Sequence, residues 1–260
     1  MPYIDANGSR LHYEDTGGRG PVVIFSHGLL MDRNMFAPQV EALRASYRCI
    51  TWDQRGFGLT GPAPEAFTYW NSAQDILAIM ASLNIETASL AGLSQGGFLS
   101  MRAALLAPER VSALVLLATR SGIDAPETIE QFKGLRAEWA NNGSKNVQAG
   151  LANVLLGPGV DAGTWVSKWA AMRHDDMNYP LDALIQRDDI TSRLAELKCP
   201  SLVIHGNADI AIDIKHGRQL ARDLPGAGPI CEIDGAGHAV NLAQPARVTA
   251  EISTFLADSV

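Results

Sequence analysis

Six short runs, apolar on both faces, constrain this chain more than any other feature of it. They read PVVIFSHG (21–28), YRCITWD (47–53), TASLAGL (87–93), VSALVLLAT (111–119), PSLVIHG (200–206) and GPICEID (228–234). A strand apolar on both faces has to be covered on both, and that is the condition of a parallel sheet between helix layers. Helical spacing fills the gaps at 34–45, at 71–83 with Asn71 as a cap, at 95–107 ahead of Pro108, and in the closing PARVTAEISTFLA (245–257). The N-terminal YIDANGSRLHYED reads as a hairpin turning at Asn7-Gly8. This order predicts an α/β fold with a mostly parallel sheet and right-handed crossovers.

The alternation stops between residues 120 and 190. Helix-like pieces at 126–141, 144–156, 162–175 and 180–187 are punctuated by NNGS, GPG and NYP. The expected organisation is a core of 1–119 and 191–260, with 120–190 inserted as a helical cap. A chain of 260 residues can bury one large core. Its net charge of −7 lacks the Lys and Arg clusters that nucleic acid or an anionic membrane requires, so neither is an expected partner. No apolar run nears the roughly 20 residues of a membrane helix. The N-terminus shows no basic start followed by an apolar core, so a cytoplasmic location is expected. Cys49, Cys199 and Cys231 are scattered, with neither metal-ligand spacing nor a disulfide framework, and Cys49 reads as a core residue. No metal or cofactor is expected.

Within LAGLSQGGFLS (90–100), Gly92-Leu93-Ser94-Gln95-Gly96 fits G-x-S-x-G directly between a strand and a helix. That setting suits a nucleophile elbow, a strained turn that lifts a serine hydroxyl above a sheet. Side chains two residues either side of Ser94 would collide with neighbouring elements, which accounts for Gly92 and Gly96. Gly97 loosens the packing further. The competing reading is that Ser94 only caps the helix.

A serine needs a base, and the base needs an orienting acid. His238, in DGAGHAVNLAQP, follows a strand in a glycine-containing loop and is the favoured base among six histidines. Asp209, in the short turn after LVIHGNAD, is the favoured acid. Asp213 and Asp124 are alternatives, and Asp209 could instead serve only an Asx-turn. The backbone amides of Gln95 and Leu29 are the candidate oxyanion donors, with His27 a structural residue of the turn before Leu29.

The pieces HGLL (27–30), DQRGFGLT (53–60), GLSQGG (92–97), HGNAD (205–209) and GAGHAVNLAQP (235–245) resemble the α/β-hydrolase superfamily in content and order. The resemblance implies an eight-stranded sheet, a Ser94-Asp209-His238 triad and a helical cap, with structural roles for Asp53 and Arg55. It is nearest to the enol-lactonase and carboxylesterase-like branch. Relatives with an aspartate nucleophile, the epoxide hydrolases and haloalkane dehalogenases, are disfavoured by Ser94.

The expected substrate is a small apolar ester or lactone, and the expected macromolecular partner is at most a second copy in a homodimer. Leu30, Met31, Trp139, Trp165, Trp169 and Met172 are the expected substrate-binding residues. Arg33, Arg136 and Arg173 read as solvated charge rather than as carboxylate binders. Two other readings stay open. One is a carbon–carbon bond hydrolase of a diketone-like substrate, and the other is a ligand sensor on the same fold with little turnover.

Overall fold

The computed structural model describes residues 2–259. Its strands are β1 (Tyr3–Ala6), β2 (Ser9–Asp15), β3 (Val22–Ser26), β4 (Arg48–Trp52), β5 (Ala88–Leu93), β6 (Val111–Leu117), β7 (Ser201–Gly206) and β8 (Cys231–Ile233). They form one sheet in the order β1-β2-β4-β3-β5-β6-β7-β8. Every one of the six apolar runs contributes a strand. The hairpin turns where Asn7 (φ 50°) and Gly8 (φ 70°) both take left-handed backbone. Strand β2 joins β4 antiparallel, and all later pairings are parallel. The central β5 is buried at each position, as a strand covered on both faces requires.

The helices are α1 (Ala37–Leu43), α2 (Tyr69–Ser82), α3 (Gln95–Leu106), α4 (Pro126–Asn142), α5 (Gln148–Leu155), α6 (Gly163–Ala171), α7 (Asn178–Ile185), α8 (Lys215–Asp223), α9 (Val240–Ala243) and α10 (Pro245–Ser259). The segment between β6 and β7 contributes α4 to α7 and no strand among the described residues. No described helix is long and apolar enough to cross a membrane.

Two local expectations need correction. Helix α2 starts earlier than its apolar spacing suggests, because Thr68 rather than Asn71 caps it. Thr68 accepts from the Asn71 amide while the Asn71 side chain accepts from the Thr68 amide. Helix α8 has no counterpart in the apolar spacing: in KHGRQLARD only Gly217 and Leu220 are buried, too narrow a stripe for apolar periodicity to register.

The turn after β4 ties neighbouring loops together at the carboxyl edge of the sheet. Asp53 accepts from the Arg33 and Leu59 amides at 2.8 and 2.9 Å. Arg55 donates to Asp75 through Nε and Nη2 at 2.6 and 2.8 Å, and both groups are buried. A guanidinium so placed is tolerated only because it is paired with a buried carboxylate. Asp53 and Arg55 therefore hold loops together. The carboxyl ends of β3, β5, β7 and β8 lie along one edge of the sheet, where open α/β sheets place ligands.

Candidate active site

Strand β5 ends at Leu93 and α3 begins at Gln95, so Ser94 alone makes the turn between them. Its backbone lies at φ 53°, ψ −113°, a conformation that costs a residue with a Cβ on the order of 1–3 kcal/mol. The surroundings hold it there. Ser94 N donates to Leu117 O at 2.9 Å, and Ser94 O accepts from Gly97 N at 2.9 Å and from Thr119 Oγ1 at 2.8 Å.

The glycines have identifiable neighbours. A Cβ on Gly92 would lie 2.2 Å from the Gly96 carbonyl carbon, and one on Gly96 would lie 1.9 Å from Ser26 O. A Cβ on Gly97 would lie 2.6 Å from the Thr119 side chain, so Gly97 is a third required glycine rather than a relief of packing. The Ser94 side chain makes no capping bond to α3. Its hydroxyl is thus left for other chemistry, at the positive end of a helix dipole.

His238 lies between β8 and α9, and its Nδ1 is 2.8 Å from Asp209 Oδ2. Asp209 sits just past β7 and does two things at once. Its Oδ1 accepts from the Ala211 and Ile212 amides at 2.8 and 3.0 Å, which is the Asx-turn. Its Oδ2 takes His238 and also lies 3.1 Å from His205 Nε2. Burial opposes the Asp209 charge, but the neighbouring His238, the His205 hydrogen bond and the Ile212 amide outweigh it. They hold the carboxyl well below the usual range. Asp213 is exposed and bonds the Lys215 amide at 2.9 Å, and Asp124 is taken by Arg120 and Arg187.

A depressed carboxyl pKa contributes stability that is complete above the unfolded-state value of about 4 and is lost as pH falls toward the folded-state value. Urea unfolding at stepped pH is therefore expected to show wild-type stability falling more steeply below about pH 4 than that of Asp209→Asn. Parallel curves would contradict the assignment of that charge to Asp209.

The opposite wall is the turn after β3. Met31 N bonds Gly28 O at 3.2 Å, and Leu30 takes φ 61°. This leaves Leu29 inside the turn. His27 is wholly buried: its Nδ1 donates to Gly28 O at 2.8 Å, and its Nε2 accepts from Gln54 N at 3.0 Å. Burial pushes its pKa down and keeps it neutral, as that pair of bonds requires. Gln54 donates on to His27 O, Gln95 Nε2 donates to Gln54 Oε1, and Tyr69 Oη donates to Gln95 Oε1 at 2.9 Å. One chain of hydrogen bonds thus fixes both turns. The Gln95 side chain is tied up, and as the first residue of α3 its amide has no earlier turn to donate to.

Ser94, His238, Leu29 and Gln95 share a cavity of about 210 Å³. Phe98, Phe132, Val154, Leu155, Leu184, Ile210 and Ile212 form its apolar walls, and Thr128, Gln131, Arg120, Asp124 and Arg187 its polar end.

None of the six expected substrate-binding residues lines that cavity, and this corrects the sequence reading. Leu30, Met31, Trp169 and Met172 line a separate groove of about 460 Å³ with Arg33, Gly56–Leu59 and Lys168. Trp169 Nε1 donates to Leu30 O at 2.6 Å, Trp139 Nε1 donates to Arg173 O at 3.2 Å, and Trp165 lies beneath Lys168 Nζ at 4.6 Å. These rings are buried in packing. Apolar spacing identifies the buried face of a helix, not the surface it is buried against. Arg33, Arg136 and Arg173 are paired with acids, namely Asp53 and Glu14, Asp182, and Asp175. Sequence patterning alone does not single out Arg187, a lone charge just past a helix. The readable signal was Arg120, placed directly beyond an apolar strand.

A family model described as the alpha/beta hydrolase fold matches residues 21–245. The chain belongs to the α/β-hydrolase family. Among solved structures it is similar to an enol-lactonase from Burkholderia xenovorans, with 27% identity, TM-score 0.90, and coverage of 98% of this chain and 100% of that one. It is equally similar to a thermophilic esterase from Thermogutta terrifontis, at 27% identity and TM-score 0.90, with coverage of 100% and 99%. A Mycobacterium tuberculosis protein provisionally named as a non-heme bromoperoxidase is 30% identical over 95% of this chain and 97% of its own length.

Proposed function

We propose that this protein is a serine hydrolase that cleaves a carboxylic ester or lactone through an acyl-enzyme. One observation carries the reading. An uncapped serine at φ 53° shares a cavity with a histidine whose Nδ1 is bound to a buried carboxylate. With Nδ1–H donated to Asp209, the lone pair of His238 resides on Nε2, the base.

Nε2 takes the Ser94 hydroxyl proton as Oγ bonds to the substrate carbonyl carbon. The carbonyl oxygen, now negative, accepts from the Leu29 and Gln95 amides. The C–O bond to the leaving alkoxide breaks, and His238 passes it the proton. Water then attacks the acyl carbon with His238 again as base, releasing the acid and restoring Ser94. In a lactone, the acid and the alcohol are parts of one molecule. Every step uses groups of the chain and water. The helices between β6 and β7 act as a cap, supplying Phe132, Val154 and Leu155 to the cavity wall.

The names of similar proteins support the bond class. Enol-lactonase and esterase name carbonyl compounds with an oxygen leaving group, and a Rhizobium rhizogenes relative at 28% identity is named for carbamates, which keep the same carbonyl. The test is a panel of short-chain aryl esters and five- and six-membered lactones, with acid release followed directly. Hydrolysis of at least one member is expected. If no member is hydrolysed faster by wild type than by Ser94→Ala, the reading fails.

A further inference from the structure

The polar end of the Ser94 cavity holds charge that the reaction above does not use. Arg120 stands just past β6, and Asp124 and Arg187 meet it there. Asp124 accepts from Arg187 Nη1 at 2.6 Å through one oxygen and from Arg120 through the other. Each nitrogen of Arg187 has a partner: beside the Nη1 bond to Asp124, Nε and Nη2 donate to Gly122 O at 3.3 and 3.1 Å, and the guanidinium lies 4.5 Å above the Phe98 ring. Arg120 differs. Its side chain is only 11% exposed, and its Nε is buried with no hydrogen-bond partner among the described residues.

Two guanidinium groups and one carboxylate therefore line the cavity, an excess of one positive charge. Asp209 also supports the charge of Arg120, but from beneath His238 and His205 and with both its oxygens already bonded. A buried donor without an acceptor is costly, and burial works against the charge of Arg120, which Asp124 supports. Surface arginines relieve both problems with water. Here the adjoining walls are Phe132, Leu155 and Ile212.

We propose that Arg120 receives a carboxylate carried by the substrate, so that the preferred ester or lactone is an acidic one with a short apolar body. This rests on Ser94 being the nucleophile in the same cavity. The roles divide naturally. Asp124, anchored by Arg187, holds Arg120 through Nη2, and Nη1 of this cavity-lining side chain has no partner among the described residues, a donor that a planar carboxylate fits better than any neutral group. The apolar walls between the two ends match a short hydrocarbon chain.

The test uses matched esters in which a carboxylate is replaced by an isopropyl group of like shape. Monomethyl succinate is paired with methyl isocaproate for the acyl side, and acetoxyacetate with isobutyl acetate for the alcohol side. In at least one pair, wild-type kcat/KM should favour the acidic member by about tenfold or more at low salt, with the ratio shrinking at about 0.5 M salt. Arg120→Met should bring that ratio to about one or below, and Arg120→Lys should keep part of it.

Neutral preference in both pairs overturns the proposal. So does an unchanged ratio in Arg120→Met, or turnover of neither pair while Ser94 still reacts with a fluorophosphonate. If Arg120→Met does not fold, the wild-type ratio and its salt dependence decide alone. An unlabelled Ser94 with no ester turnover at all removes the serine-hydrolase reading itself, and this proposal with it. Hydrolysis of neutral esters alone removes only the proposal.

Discussion

Ser94→Ala is expected to lower turnover of any substrate of this protein by on the order of 10⁴-fold or more. The size follows from the role proposed for Oγ as the attacking atom. Without Oγ no acyl-enzyme forms, and the two oxyanion amides can polarise a carbonyl that nothing attacks. Stability should change little, for two structural reasons. The hydroxyl makes no capping bond to α3, and alanine inherits the same backbone at φ 53° without added bulk. The substitution thus separates chemistry from folding, which a triad partner such as Asp209 does not, since its side chain also builds a turn. Residual turnover within about tenfold of wild type, with the fold intact, would remove Ser94 from the mechanism.

Gly96→Ala is expected to be the most damaging single methyl group in the protein. Its Cβ would lie 1.9 Å from Ser26 O, 2.5 Å from Ser26 C and 2.9 Å from His27 O. All three atoms are backbone, at the end of β3 and in the turn that presents Leu29, so no rotamer change relieves the clash. Either α3 moves away from the sheet or β3 does, and a loss of about 4 kcal/mol or more is expected. Movement of either element also separates the Leu29 and Gln95 amides, so activity should fall even in the folded fraction. Gly150→Ala in α5 is the matched control. Nothing lies within 4 Å of its added Cβ, and helix propensity favours alanine there by up to about 1 kcal/mol. Urea unfolding of the two variants tests the contrast. Equal stability would mean that the contact between α3 and β3 is not as close as it stands.

The architecture was legible because covered parallel strands must be apolar on both faces, and each of the six such runs became one. The elbow was legible for a related reason: a turn of one residue between β5 and α3 leaves steric marks in the sequence, at Gly92 and Gly96. His238 and Asp209 stood out because each follows a strand on the same sheet edge. What the sequence hid is of another kind. Trp139, Trp165 and Trp169 carry the same apolar signal whether they face a substrate or a neighbouring helix, and here they are buried away from the Ser94 cavity. Arg120 and Asp124 are four residues apart, but Arg187, 63 residues beyond Asp124, joins them only because the chain just past α7 returns to Gly122 and Asp124. The arrival of Arg187 is a fact of tertiary structure, with no local pattern to announce it. Helix α8 escaped because two buried residues suffice to dock it.

The central claim is that the Ser94 hydroxyl is the activated nucleophile, and reaction with a fluorophosphonate followed by mass mapping tests it most directly. The expected result is one phosphonyl group per chain, on the peptide containing Ser94, with no labelling of Ser94→Ala and slowed labelling of His238→Ala. Labelling at another serine, or none in folded wild-type protein, would contradict it.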